Sequence, residues 1–440
     1  MNRRSALLII IVVAVAVRLA SALTLGDRVV PLPGIFDQLS YQTLATRVLD
    51  GDGFTFAVDW WPLTKAGEPT AHWSYSYTLF LTAIYSVFGV HPLVARMLQA
   101  TVGGALMPWL VWRIGRRAFG DSAGLVGAAW VAMYGYLVYY AGALMTETFY
   151  ILGILWMLDC AARLAEALND DTATGWHWLE LGVAIGLTAL LRQVILVFVP
   201  VLLLWLAWAA VGYGKKFTTA FLWPFVGGVL VTGMATALLI APATIYNYGR
   251  FDRFVLLNSN AGFAFFWANH PIYGDHFVPL LTSDMPSYDQ LVPAELRGLD
   301  EAALDSALLK RGLQFVLDDP GRYVRLSISR LPVYFMFWPS SESGLLSNLV
   351  RVASFGVALP LMLVGLVLWL SRPGRGRSLA PLLALFALTY SAAHLLSWSL
   401  IRYRLPVDAV MLIFAGYGLF SLWVRFGLPW PASLTLRNSE

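Results

Sequence analysis

Long apolar runs recur from the first residues of the chain to its last turn, and they constrain the fold more than any other feature. A run of about 20 apolar residues is long enough for a helix to cross a bilayer core about 30 Å thick. Hydrophobic residues make up 58% of the 440-residue chain and charged residues only 13%, which is unusual for a soluble domain. The sequence therefore predicts an all-α polytopic membrane protein with one membrane domain over residues 1–440.

The apolar runs predict about ten transmembrane helices, and Ser74–Phe88 is predicted to lie in the membrane interface. The ten runs are 5–25, 93–115, 121–141, 147–165, 178–191, 193–212, 218–243, 346–371, 378–397 and 405–424. The first run follows two arginines and also resembles a signal peptide. Because Arg18 interrupts that run and membrane-embedded chain follows it, we expect an uncleaved first helix.

Basic residues in alternate loops orient these helices, because Lys and Arg in short loops stay in the cytoplasm. The basic residues that this layout places on the cytoplasmic side are Arg3, Arg4, Arg113, Arg116, Arg117, Lys215, Lys216, Arg372, Arg375, Arg377 and Arg425. The loop 163–176 is an exception, because it is acidic. We therefore expect a multi-pass protein of the cell (inner) membrane with two large outer segments, 26–92 and 244–345.

The second outer segment contains two amphipathic patterns. Residues 300–317 have helical periodicity, and the run around Arg322, Arg325 and Arg330 is predicted to form a helix on the bilayer surface. The single cysteine, Cys160, excludes an internal disulfide and a thiolate metal cluster. A net charge of +4 without a basic recognition helix gives no indication of nucleic-acid binding.

Two carboxylates begin helices on the predicted outer side. Asp37 follows the first helix, and Tyr41 lies one helical turn further on the same face, so Asp37 could accept a proton from an incoming hydroxyl or amine. Glu147 begins another helix and is the second candidate acid. Both acids also have a structural interpretation. Asp37 would be the N-cap of its helix, and Glu147 would be an acid that the helix dipole favours at a helix start. Together the two carboxylates could also hold a divalent cation.

Three arginines on the same side are candidates for binding a phosphate. Arg192 lies between two apolar segments, and Arg402 and Arg404 lie in a short outer loop where the positive-inside rule predicts few basic residues. Planar guanidinium groups suit phosphate oxygens, although snorkelling to the interface or binding lipid headgroups are the alternatives. Five further residues on this side are predicted to contact substrate: Tyr41, His72, Asn247, Asn269 and Tyr403.

The order of these features resembles the GT-C class of membrane glycosyltransferases, especially protein O-mannosyltransferases and lipid A aminoarabinose transferases. The motifs that carry the resemblance are Phe36-Asp37-Gln38-Leu39-Ser40-Tyr41, Val94-Ala95-Arg96, Thr146-Glu147-Thr148-Phe149, Leu191-Arg192, Tyr246-Asn247-Tyr248 and Arg402-Tyr403-Arg404-Leu405-Pro406. Mannosyltransferases have an Asp-Glu pair where this chain has Asp37-Gln38, so the resemblance does not transfer the identity of donor or acceptor.

The resemblance implies an inverting transferase with an undecaprenyl- or dolichyl-phosphate-linked sugar donor and an acceptor lipid, glycan or protein. It implies that Asp37 is the catalytic base, that Glu147 is a second acid near the acceptor or a metal, and that Arg192, Arg402 and Arg404 hold the donor phosphate. Two alternatives stay open. One is a polymerase or ligase of polyprenyl-linked glycans, and the other is a transporter in which Arg18, Asp159 and Asp408 carry charge, although no internal repeat is visible.

Overall fold

The computed structural model describes residues 2–32, 34–212, 218–281, 285–341, 343–372 and 379–429. Within these ranges the chain is helical, and β-structure is limited to two isolated bridges, Thr55 with Pro69 and Trp60 with Thr64. The predicted all-α fold is therefore confirmed.

The described residues form seventeen α-helices, which are numbered in chain order. They are α1 Arg3–Leu25, α2 Asp37–Leu49, α3 Tyr75–Phe88, α4 Pro92–Phe119, α5 Asp121–Met133, α6 Gly135–Gly142, α7 Glu147–Asn169, α8 Gly175–Leu191, α9 Val199–Gly212, α10 Thr219–Phe251, α11 Ala261–Ala268, α12 Glu301–Asp318, α13 Pro320–Tyr334, α14 Leu345–Arg351, α15 Val357–Leu370, α16 Ala380–Leu395 and α17 Leu405–Arg425. Each of the ten apolar runs coincides with one or more of these helices.

The number of membrane spans differs from the prediction. Within the described ranges, five helical segments are long and apolar enough to cross a membrane, and a bent pair of helices, α5 with α6, raises the number to six. The five are Arg3–Leu25, Gln193–Ala210, Phe221–Phe251, Leu345–Leu370 and Ile401–Arg425. Ten spans are therefore not confirmed, because α8 and α16 have only 17 and 16 residues and α7 carries several charged side chains.

The break between α5 and α6 explains the intramembrane arginine Arg18. The two helices meet at Tyr134 with a bend of 52°. Arg18 is fully buried and donates hydrogen bonds to the carbonyl oxygens of Val131 and Ala132, both at 2.9 Å. Since the last carbonyls of a helix lack partners within the helix, Arg18 satisfies the acceptors that the break exposes. A guanidinium held in this way has a structural role.

The bundle has two ends, which we call upper and lower. At the lower end Arg3 pairs with Asp121 at 3.0 Å, and Asp159 pairs with Arg113 at 2.9 Å and with Arg117 at 2.8 Å. These pairs join the start of α1 to α5 and the end of α4 to α7. The upper end contains α2, α3 and α11 to α13. Of the basic residues used to predict topology, Lys215, Lys216, Arg375 and Arg377 lie outside the described residues.

Glu301, the first residue of α12, ties the two large outer segments together at the upper end. Its carboxylate accepts hydrogen bonds from the hydroxyls of Thr64 and Thr70, both at 2.7 Å, and from the backbone amide of Ala71 at 2.8 Å. The Ser259 hydroxyl donates a fourth bond at 2.5 Å. A buried carboxylate with this many donors fixes the second outer segment on the first.

Helix α13 differs from the predicted surface helix. The prediction grouped Arg330 with arginines that face a membrane surface, but Arg330 is fully buried. Its guanidinium donates to the backbone carbonyls of Leu395 at 3.0 Å and Ala268 at 2.5 Å. Helix α13 therefore has one arginine that packs inward and joins α11 to the end of α16.

Candidate active site

Asp37 is the first residue of α2, at the upper end of the bundle. The residue before it, Phe36, is the N-cap of the helix, and no side chain caps the helix by hydrogen bonding. The Asp37 carboxylate instead accepts a hydrogen bond from the Arg402 guanidinium, with an Nη1–Oδ2 distance of 2.7 Å. Asp37 thus belongs to an ion pair that joins two parts of the chain 365 positions apart.

The residues around Asp37 hold its helix in place. The neighbouring Gln38 is buried, accepts a hydrogen bond from Arg96 at 3.1 Å, and donates to the carbonyl of Val30 at 2.7 Å. Arg96, also buried, donates to the carbonyl of Gly142 at 3.1 Å. The chain has Gln38 where the mannosyltransferases have an acid, and here the amide of this residue anchors the loop that precedes Asp37.

Glu147 forms the second ion pair of the site. It is the first residue of α7, its side chain is 2% exposed, and its carboxylate accepts from Arg192 at 2.5 Å. Arg192 follows the last residue of α8 and also donates from Nε to the hydroxyl of Thr146 at 2.8 Å. The two bonds fix the guanidinium at the point where α7 begins and α8 ends.

Tyr403 lies between the two pairs. The centre of its ring is 5.2 Å from the guanidinium carbon of Arg402 and 5.7 Å from that of Arg192. Because both cations contact one aromatic ring, Asp37–Arg402 and Glu147–Arg192 belong to one cluster. We call Asp37, Arg402, Glu147, Arg192 and Tyr403 the two-pair site. Its two carboxylates and two guanidiniums cancel in net charge.

Tyr41 and His72, two of the predicted substrate residues, lie beside this site. Tyr41 is one turn after Asp37, and its ring packs 5.6 Å from that of Trp73. Burial raises the pKa of the Tyr41 phenol above its usual range, so the phenol stays protonated at neutral pH. Burial likewise lowers the pKa of His72, which favours the neutral imidazole.

Three other predicted residues do not lie in the two-pair site. Asn247 accepts from the Tyr75 hydroxyl at 2.7 Å and donates to the carbonyls of Val255 and Leu257, both at 3.0 Å. Asn269 accepts from Arg330 at 2.9 Å. Both amides are buried and hold loops in place, so the structure does not support a substrate contact for either.

Arg404 is the third predicted site residue that does not lie in the two-pair site, and its side chain is fully buried. It donates to Asp408 at 2.9 Å and to the backbone carbonyl of Tyr334 at 2.6 Å. The structure therefore places the Arg404 guanidinium away from the two-pair site, and its role in binding a donor phosphate stays a prediction. The pair also explains Asp408, one of the three charges of the transporter alternative. Asp159, another of the three, belongs to the ion pairs of the lower end.

A divalent cation between Asp37 and Glu147 stays a prediction. Each carboxylate already accepts from an arginine, so the pair is a poor donor set for a cation. Over the ranges that the structure describes, no group of three His, Cys, Asp or Glu side chains is arranged to hold a metal ion. The arginines are the positive charges that the structure places in the site.

Comparison with protein families gives one match. Residues 75–246 match the family of dolichyl-phosphate-mannose-protein mannosyltransferases. This range contains Glu147 and Arg192 but not Asp37 or Arg402. No curated protein is significantly similar to the chain in sequence.

Solved structures are similar over almost the whole chain. AglB, the oligosaccharyltransferase of Archaeoglobus fulgidus, in complex with an inhibitory peptide and a dolichol-phosphate, matches 96% of this chain with 15% identity and a TM-score of 0.59. Its apo form matches with 14% identity and a TM-score of 0.62. The chain spans about half the length of AglB, 50% and 51% in these two structures.

A weaker similarity is to ArnT from Cupriavidus metallidurans bound to undecaprenyl phosphate. It covers 95% of this chain and 79% of ArnT, with 14% identity and a TM-score of 0.41 that does not by itself establish a shared fold. The likeness to AglB does establish one. This protein therefore has the fold of the GT-C membrane glycosyltransferases.

Proposed function

We propose that this protein is an inverting glycosyltransferase that moves a sugar from a polyprenyl-phosphate carrier to an acceptor hydroxyl or amine. The observation that carries the proposal is the convergence of two carboxylates and two arginines around Tyr403. The shared fold and the match to the mannosyltransferase family support it. In its own structure AglB binds a dolichol-phosphate, a ligand of the class proposed here.

The donor phosphate binds to Arg402 and Arg192. Both guanidiniums are paired with carboxylates, so the phosphate exchanges for a carboxylate at one or both of them. Exchange at Arg402 releases Asp37 from its ion pair and leaves it able to accept a proton. Binding of the donor thereby prepares the base, and the arginines stabilise the negative charge that the phosphate gains as it leaves.

The transfer is a single displacement at the anomeric carbon of the donor sugar. The acceptor oxygen or nitrogen attacks the anomeric carbon of the sugar and transfers its proton to Asp37. The bond between that carbon and the phosphate oxygen breaks, and the polyprenyl phosphate carries away the electron pair. Attack from the face opposite the leaving phosphate inverts the anomeric configuration.

The site is proposed to open on the outer face of the inner membrane. The lower end holds the arginines that the positive-inside rule assigns to the cytoplasm, and the two-pair site lies at the upper end. A carrier lipid lies in the bilayer with its phosphate at the surface, which matches a site at the end of a helical bundle. The acceptor is a lipid, glycan or protein on that outer face.

Asp37→Asn tests the assignment of the base. We expect transfer to be lost, because an amide cannot take the acceptor proton, while binding of undecaprenyl phosphate is retained because Arg402 no longer has a carboxylate competitor. Transfer is measured by mass spectrometry of envelope glycans and proteins from a deletion strain that carries each variant. Asp50→Asn, an exposed acid at the other end of α2, is the matched control and should behave like wild type.

Near-normal transfer by the Asp37→Asn variant would remove Asp37 from the base role and favour a polymerase or ligase, which needs no acid directly after the first helix. Loss of transfer together with loss of undecaprenyl phosphate binding would also contradict the proposal, because it would make Asp37 a structural residue.

A further inference from the structure

An aromatic cluster adjoins the two-pair site. Its outermost member is Trp61, which is 47% exposed and stacks on Trp267 with ring centres 5.6 Å apart and planes 29° apart. His72 meets Trp61 edge-on at 5.4 Å, and Trp73 lies 6.2 Å from Trp61. Trp61 therefore has one side supported by the protein and retains an accessible aromatic surface.

The cluster is connected to the proposed base. Trp73 packs against Tyr41, with ring centres 5.6 Å apart, and Tyr41 is one helical turn after Asp37 on α2. The charge of Asp37 also acts on the imidazole of His72. A ligand that contacts Trp61, His72 and Trp73 would therefore lie near the first turns of α2, the helix that begins with the proposed base.

Two polar atoms in this cluster have no hydrogen-bond partner among the described residues. They are Nδ1 of His72 and Nε1 of Trp73, on side chains that are 8% and 6% exposed. A buried polar atom without a partner costs about 1–3 kcal/mol, so each of these two nitrogens requires a partner such as a ligand hydroxyl, a water or an ion. The neutral imidazole offers an acceptor or a donor, and the indole offers a donor.

We infer that this cluster is a sugar subsite, in which Trp61 packs on the apolar C–H face of a pyranose ring and His72 and Trp73 bind its hydroxyls. The inference rests on the proposed function, which it deepens by assigning the residues that hold the transferred or accepting sugar. The C–H groups of a pyranose carry partial positive charge and the face of an indole is negative, so the two faces attract. Ligand sites commonly combine such aromatic walls with a few polar groups.

An exposed tryptophan is also suited to contact a lipid surface, since indoles concentrate at membrane interfaces. Lipid chains would leave the His72 and Trp73 nitrogens unpaired, whereas sugar hydroxyls satisfy both. The juxtaposition with Asp37 also favours a sugar, because the reacting carbon must come within reach of the acceptor that the base deprotonates.

Saturation-transfer NMR on the full chain in nanodiscs tests the subsite directly. The probes are methyl glucoside, methyl galactoside, methyl mannoside and methyl N-acetylglucosaminide. We expect saturation of ring protons in at least one probe with wild type, a reduction of about fivefold or more with Trp61→Leu, and retention with Trp61→Phe, which keeps an aromatic face. Trp176→Leu is the matched control, because Trp176 is 69% exposed but lies at the lower end.

Equal saturation in wild type and Trp61→Leu, or none in wild type for any of the four probes, would overturn the inference. Quenching of the Trp61 contribution to fluorescence by brominated lipids would also overturn it in favour of a membrane contact. Thermal unfolding of each variant shows whether it has folded, and the Trp61→Phe variant keeps the test valid if Trp61→Leu does not. The sugar subsite can fail while Asp37→Asn still abolishes transfer, so the two proposals are distinguishable.

Discussion

Each carboxylate of the two-pair site has two roles that the sequence presents as alternatives. Asp37 and Glu147 are the first residues of α2 and α7, where the positive end of the helix dipole favours an acid. In the structure each also pairs with an arginine that comes from a distant part of the chain. The dipole and the pairing are compatible, because the side chain of a first-turn residue is free to point away from its helix.

Arg192 and Glu147 provide a test that separates stability from ligand binding. Arg192→Ala leaves Glu147, which is 2% exposed, without its arginine partner, and breaking a buried pair in this way costs about 3–5 kcal/mol. Adding Glu147→Gln removes the buried charge. We expect the double variant to recover most of the thermal stability in detergent but not the binding of undecaprenyl phosphate.

The two measurements are thermal unfolding and titration with undecaprenyl phosphate. Recovery of both properties in the double variant would show that Arg192 serves only to neutralise Glu147. Loss of neither property in Arg192→Ala would contradict both roles proposed for the ion pair.

The sequence predicts which residue types form the site better than it predicts the direction in which each side chain points. Arg402 and Arg404 have the same local context, but they lie two apart on a 3-10 turn, where such side chains point about 120° apart, so one faces the site and the other faces Asp408. Asn247 and Asn269 also point away from the two-pair site, since a polar residue near a helix end serves equally well to bind a backbone carbonyl. The sequence presents Arg96 only as part of the Val94-Ala95-Arg96 motif, although its bond to Gln38 helps to hold the loop that precedes Asp37.

At the level of whole helices, the apolar runs predict most of the α-helices that form the bundle. The run 121–141 gives no signal of the break at Tyr134, because it contains no proline and its apolar residues continue through the bend. Arg18, which lies 113 positions before Val131 in the chain, binds the carbonyls that the break exposes. A single helix could not be distinguished from a broken one without knowing which helix packs beside it.

The short α11 and the turn after it supply a pH-dependent contact. His270 accepts a hydrogen bond at Nδ1 from the backbone amide of Ile272 at 3.2 Å, which requires that nitrogen to be unprotonated. Burial and the charges of Arg322 and Arg311 lower the pKa of His270 to about 4. As the pH falls, the histidine of the unfolded chain, with a pKa of about 6.5, is therefore protonated before His270 of the folded chain. This contribution to stability is complete above pH 6.5 and is lost as the pH falls toward 4.

His270→Asn keeps the accepting atom and removes the titration. We expect the difference in stability between wild type and this variant to change by about 1 kcal/mol or less between pH 7 and 5.5, with wild type losing more, since partial exposure screens the effect. Thermal unfolding over that pH range measures it. Asp305, whose pKa burial raises to about 6 from 3.8, contributes with the opposite sign, so only the difference between the two proteins reports on His270. A constant difference would contradict the assignment.

For the molecule as a whole, the two-pair site and the ion pairs of the lower end lie at opposite ends of the bundle, about one helix length apart. Helix α7 runs between the two ends; it has 23 residues and at about 1.5 Å per residue extends about 35 Å. Its first residue belongs to the two-pair site, and its last turns carry the ion pairs of the lower end. The proposed chemistry requires the two ends to lie on opposite sides of the membrane, with the two-pair site outside.

Cysteine labelling tests that orientation at the loop where the charge pattern is weakest. In a Cys160→Ala background, which removes the single thiol of the chain, Asp50→Cys places a thiol at the upper end and Gly175→Cys places one at the start of α8, beside the acidic loop at the lower end. We expect a membrane-impermeant maleimide to label Asp50→Cys in intact spheroplasts and Gly175→Cys only after permeabilisation, with equal labelling of both in detergent as the control. Labelling of Gly175→Cys from outside would place the two-pair site in the cytoplasm, where an outward-facing carrier could not present its sugar.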